Sequence, residues 1–108
     1  MIHIVIDESK LSLRVWGHGG YAEPGQDIIC AGVSTLVRTW ERCVDIFLRN
    51  GILADAISEV DKGSANITVF PAEGNRHTIE VSFLSICEGL RMLYEQLGQY
   101  ISLEYVQG

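Results

Sequence analysis

Basic residues are scarce in this chain: eight Lys and Arg stand against 14 Asp and Glu in 108 residues, a formal net charge of −6 at pH 7. The basic residues are scattered, so no cationic patch is available to neutralise a phosphate backbone, and direct nucleic-acid binding is disfavoured. Long apolar runs are also missing. Nothing approaches the roughly 20 residues needed to span a bilayer, and Met1–Lys10 has neither the basic nor the apolar region of a secretory signal, so a cytoplasmic protein without a membrane anchor is expected. Cysteine is sparse, with Cys30, Cys43 and Cys87 forming no C-x-x-C pair. An odd, unpaired set suggests neither a disulfide framework nor a zinc site, and no metal or cofactor is expected. Proline occurs only twice, and no repeat, biased tract or linker interrupts the chain. One folded domain over residues 1–108 is therefore expected, with enough apolar residues for its own core. The acidic excess suits a basic peptide as partner.

Ile2, Ile4 and Ile6 alternate with His3 and Val5, and Leu11, Leu13 and Val15 with Ser12, Arg14 and Trp16. This period of two predicts a β-hairpin turning at Asp7–Lys10. Residues 17–26 hold four glycines and a proline, which predicts an irregular loop, a place where function often sits. Apolar residues then fall at Ile29, Val33, Leu36, Val37, Trp40, Val44, Phe47 and Leu48, one stripe of an amphipathic helix. With Asp27 as N-cap and Asn50-Gly51 as C-cap, that helix is expected from about Ile28 to Arg49. Ala56–Val60 and Asn66–Phe70 read as strands around a turn at Asp61–Ser64. Thr78–Phe83 fits a strand or a helix; the longer stripe Ile79, Phe83, Ile86, Leu90, Leu93, Leu97 selects a helix over Thr78–Leu97, closed by Gly98. A last strand is expected over Ile101–Val106. The fold class that follows is α+β: a two-layer sandwich with a mostly antiparallel sheet and two long helices packed on one face.

Behind an Asp27 cap, Cys30 falls in the first helical turn, where free N–H groups and the helix dipole favour a thiolate. His18 lies twelve residues upstream on the loop leading to that turn, placing a candidate base near a candidate nucleophile. Donors at the helix start are suited to a developing oxyanion. Every part also has a plain reading: Cys30 as a structural thiol, His18 as a solvated side chain, Asp27 as a cap only, Ser34 as a helix-surface residue, the glycines as turn formers. Cys43 and Cys87 lie by the apolar stripes and read as inert core thiols. His3 and His77 are assigned no role. Trp16 and Tyr21 flank the loop and read as packing beneath it, or as the lining of a pocket for an apolar peptide side chain.

The stretch Gly17-His18-Gly19-Gly20-Tyr21-Ala22, followed by Gly25-Gln26-Asp27-Ile28-Ile29-Cys30-Ala31-Gly32-Val33-Ser34, resembles the signature of the bacterial ribosomal-processing cysteine proteases, the Prp family. Gly89-Leu90 and Tyr100-Ile101 resemble the family's tail. The resemblance implies that His18 and Cys30 are the catalytic pair, that Asp27 and Ser34 match an Asp and a Ser of the same motif, and that Gly19, Gly20 and Tyr21 belong to a loop that orders over substrate. It further implies cleavage of a short N-terminal extension from a large-subunit ribosomal protein after an aromatic residue, by a homodimer. Gly19 and Gly32 stand where the family commonly has alanine, and Gly32 is expected to cost roughly 1 kcal/mol of helix propensity. Two other function classes stay open. A non-catalytic ribosome-associated module would bind a basic peptide and tolerate loss of the thiol. A redox sensor would need a resolving cysteine, and Cys43 lies about 20 Å along the same helix at 1.5 Å per residue.

Overall fold

The computed structural model describes residues 1–17 and 26–106, of which 26–30 are described by their backbone only. β1 (Ile2–Asp7) and β2 (Ser12–Trp16) form the expected hairpin. Its turn is held by the Asp7 carboxylate, which accepts from Ser9 Oγ at 2.7 Å and from the Lys10 amide at 3.1 Å. Ile2, Ile4, Ile6, Leu13 and Val15 point to the buried side, as the alternation requires. β3 (Leu53–Asp61) and β4 (Ser64–Pro71) make a second hairpin, longer than its apolar centre alone indicates. β4 pairs with β2, while β5 (Ile101–Tyr105) runs parallel to β1, giving the order β3-β4-β2-β1-β5. The sheet is thus antiparallel except at its β1–β5 edge.

Two helices complete the two-layer α+β sandwich. α1 (Gln26–Arg49) joins β2 to β3. Its C-terminus closes in a Schellman motif: the Ile52 amide donates to the Phe47 carbonyl at 2.9 Å and the Gly51 amide to that of Leu48 at 3.2 Å, with Gly51 at φ +73°. α2 (Arg76–Leu97) joins β4 to β5 and settles the ambiguous segment as helix. Ile79, Phe83, Ile86 and Leu90 are buried, whereas Val81, which a strand would place on the same face as Ile79 and Phe83, is 50% exposed. Neither helix is long and apolar enough to cross a membrane.

Between the layers, Trp40 is fully buried, with ring centroids 5.5 Å from Phe83 and 6.4 Å from Phe47. Leu48, counted in the apolar stripe of α1 on sequence, is 38% exposed at the edge of that stripe. The helices meet at two glycines. A Cβ on Gly32 would lie 3.1 Å from Leu93 of α2, and one on Gly89 would lie 2.9 Å from Leu36 of α1. Each glycine seats the other helix's leucine. An alanine at Gly32 would press on the end of the Leu93 side chain, which would have to give way by a few tenths of an ångström.

Candidate active site

α1 begins at Gln26, about two residues before the start expected from sequence. Asp27 is thus the second residue of the described helix, while its side chain, on which the expected cap depends, lies outside the described residues. An acidic residue in the first turn still complements the helix dipole. Cys30 becomes the fifth residue, at the end of the first turn, where the dipole's effect on a thiol is weaker. The side chains of Asp27 and Cys30, and residues His18, Gly19, Gly20 and Tyr21 entirely, lie outside the described residues.

The chain's approach to His18 is described as far as Gly17. That residue takes φ +81°, open to glycine and costly for other residues. A Cβ there would come within 2.6 Å of the Met1 carbonyl oxygen and 3.4 Å of the His3 ring. Gly17 is required twice over, by its backbone angle and by its passage across Met1, the residue just before β1. Just before it, Trp16 stacks on His3 with centroids 5.2 Å apart and planes 18° apart, and the Arg14 guanidinium lies 5.5 Å from the Trp16 centroid. His3, given no role on sequence, therefore braces the residue that leads into the loop. Trp16, 40% exposed, borders a cavity of about 190 Å³ on the outer side of the sheet, with Glu59 and Asn66.

Gly17 and Ser34 open onto one groove of about 580 Å³. Gly17 is bonded to His18, and Ser34 lies one turn beyond Cys30 on the same side of α1. The groove is thus adjacent in sequence or in helical turn to both members of the expected pair. Ile2 and Val15 form part of its sheet side, and Val33 and Val37 its helix side. The β3–β4 turn, Val60–Ala65, closes the third side. Arg38, which pairs with Glu41 at 3.0 Å, and Asp61 and Lys62 are also among the lining residues. Sequence reasoning missed this third wall, because it comes from a segment more than thirty residues away whose register with β2 no local pattern reveals.

The other thiols match their expected roles. Cys87 is buried, and desolvation first, then Glu8 and Glu88, push its pKa up to about 12, which suppresses thiolate chemistry. Cys43 is half-buried against the core. His77 is exposed at the start of α2, on a different element from the groove-lining residues.

A model of the family described as cysteine protease Prp matches residues 1–102. The fold resembles that of the essential ribosomal processing protease Prp from S. aureus in complex with a covalently linked product peptide, at 23% identity and TM-score 0.73, covering 98% of this chain and 100% of that one. The same S. aureus protease in complex with a substrate peptide gives TM-score 0.73 at 18% identity, with the same coverage. A Streptococcus mutans protein gives TM-score 0.66 at 19% identity, covering 99% of this chain and 93% of that one. No protein of curated function matches the sequence.

Proposed function

The chain belongs to the cysteine protease Prp family, and from that membership we propose that it is a cytoplasmic endopeptidase that removes a short N-terminal extension from a large-subunit ribosomal protein, with Cys30 as nucleophile and His18 as general base. The observation that supports this reading is the groove lined by Gly17, the residue bonded to His18, and by Ser34, one helical turn beyond Cys30, which is large enough for a peptide side chain. His18 takes the thiol proton as the sulfur attacks the scissile carbonyl. Free amides at the start of α1 stabilise the oxyanion. Collapse expels the amine, which receives its proton from His18, and leaves a thioester at Cys30 that water hydrolyses. The covalently linked product peptide of the S. aureus protease agrees with a covalent route. Asp27 supports the site from the first turn of α1, Ser34 contacts the peptide at the groove, and Gly19, Gly20 and Tyr21 close over it. The protein acts as a homodimer on a basic precursor, which its net charge of −6 favours.

The test is the pH dependence of iodoacetamide alkylation at Cys30, read by mass spectrometry. A thiol titrating well below the ordinary value near 8.5 is expected, with His18→Ala returning it towards that value. An ordinary profile that His18→Ala leaves unchanged would sink the pair. Peptide binding without cleavage would then identify a binding module.

A further inference from the structure

The groove exists because small side chains face one another where the rest of the core is filled by large ones. The register aligns Val60, Ala65, Val15 and Ile4 in one row across β3, β4, β2 and β1. On β4 the side chains facing the helices are Ala65, Ile67 and Val69, all buried, so the smallest stands in the row nearest the start of α1. α1 repeats this gradient. Its inward residues are Val33 and Val37 near the start and the fully buried Trp40 beyond them. Valines over an alanine leave a gap of about 580 Å³, which the bulk of Trp40 prevents further along. The remaining lining separates by polarity. The interior is Ile2, Val15, Val33, Val37, Val60 and Ala65, and polar groups such as Ser34, Arg38 and Lys62 stand with it.

We infer that Ala65 from the sheet and Val37 from α1 are specificity-determining residues, which together set the size of the apolar substrate side chain that the groove accepts beside the bond to be cut. The inference rests on the assignment of Cys30 and His18 as the reacting pair, because their neighbours Ser34 and Gly17 tie the groove to the bond. The occupant is a large apolar side chain of the peptide: the walls offer it apolar surface, and the polar groups among them suit the peptide backbone. Leucine at position 65 would project into the groove and exclude a bulky side chain while leaving room for a small one. Alanine at position 37 would enlarge the groove from the opposite wall.

The inference is tested by binding, so that it does not depend on turnover. Fluorescent peptides copying the ribosomal protein's N-terminal extension, with Trp, Phe or Ala before the bond to be cut, are titrated by anisotropy into Cys30→Ala protein alone and carrying Ala65→Leu or Val37→Ala. The parent is expected to bind the Phe peptide at least tenfold tighter than the Ala peptide. Ala65→Leu is expected to weaken Phe-peptide binding about tenfold and Ala-peptide binding less than threefold. Val37→Ala, which cannot overpack the groove, is expected to shift preference towards Trp. A parent that does not distinguish Phe from Ala, or variants that change all three peptides equally, would overturn the inference. Cleavage is measured separately on protein with Cys30 intact: absence of turnover there, with size selection retained in binding, would refute the catalytic pair and leave the groove assignment standing.

Discussion

Gly17→Ala is the substitution most directly linked to the approach to His18, and Gly51→Ala is its internal control. Both glycines have left-handed backbone angles, φ +81° at Gly17 and +73° at Gly51. Alanine at either site incurs a conformational cost of about 1–2 kcal/mol. The surroundings differ. A Cβ on Gly51 meets nothing within 4 Å, whereas one on Gly17 would come within 2.6 Å of the Met1 carbonyl oxygen, a backbone atom with no rotamer through which to move away. The Ile2 amide beside that carbonyl donates to the Tyr100 carbonyl at 2.9 Å, tying the start of β1 to the chain before β5. Relief must displace either that attachment or the path of residue 17 itself. Gly51→Ala is therefore expected to lower stability by about 1 kcal/mol and Gly17→Ala by about 2 kcal/mol, the latter shifting Tm by roughly 8 °C. Redirecting the chain at residue 17 is also expected to lower kcat/KM at least tenfold at temperatures where both variants are folded, because a 1 Å misplacement of a reacting group can cost on the order of a hundredfold. Differential scanning fluorimetry and peptide-cleavage kinetics on the two variants provide the comparison. Equal Tm and equal kcat/KM for Gly17→Ala and Gly51→Ala would refute this role for residue 17.

At the helix contact, Gly89→Val is expected to destabilise by about 1–3 kcal/mol in urea unfolding, since even a Cβ there lies 2.9 Å from Leu36. The Asp7 carboxyl is held below its ordinary value of 3.8, first by the Ser9 hydroxyl and then by the Lys10 amide. Its folded pKa lies below the unfolded one, so its contribution is complete above about 3.8 and disappears as pH falls through the folded value. Asp7→Asn should accordingly lower Tm at pH 6 and flatten the dependence of Tm on pH below 4. Cys87, with its thiol pushed up to about 12, should resist alkylation in the native protein at pH 8 and react only after unfolding. Fast native labelling at Cys87 would contradict its reading as a core thiol.

Much of the fold is legible where local pattern and burial agree. The stripe through Val33, Val37, Trp40 and Val44 marks the buried side of α1, and Asn50-Gly51 marks its end through a backbone angle and the hydrogen bonds donated by the Gly51 and Ile52 amides. The start of α1 is less legible, because Gln26 and Asp27 continue the backbone helix without joining the apolar stripe, and Asp serves equally well as cap or first-turn residue. Thr78–Phe83 satisfies two periods at once; the longer stripe to Leu97 selects the helix, and the exposure of Val81 agrees with it. The parallel pairing of β1 with β5 joins segments nearly a hundred residues apart and leaves no local signature. The site divides in the same way. His18, Cys30 and Ser34 are visible as a motif, but the groove that Ser34 lines also requires Ala65 to lie beside Val15, a register that appears only once β4 docks on β2. Alone, Ala65 is merely a small residue near a turn.

Cleavage of a synthetic peptide spanning the extension and the first residues of the mature ribosomal protein, followed by mass spectrometry, tests the central claim most directly. The wild-type protein should cut one bond, following a large apolar residue, and both Cys30→Ser and His18→Ala should lose that product by orders of magnitude while keeping the wild-type Tm. An uncut peptide that still binds, or cleavage that survives Cys30→Ser, would contradict the assignment.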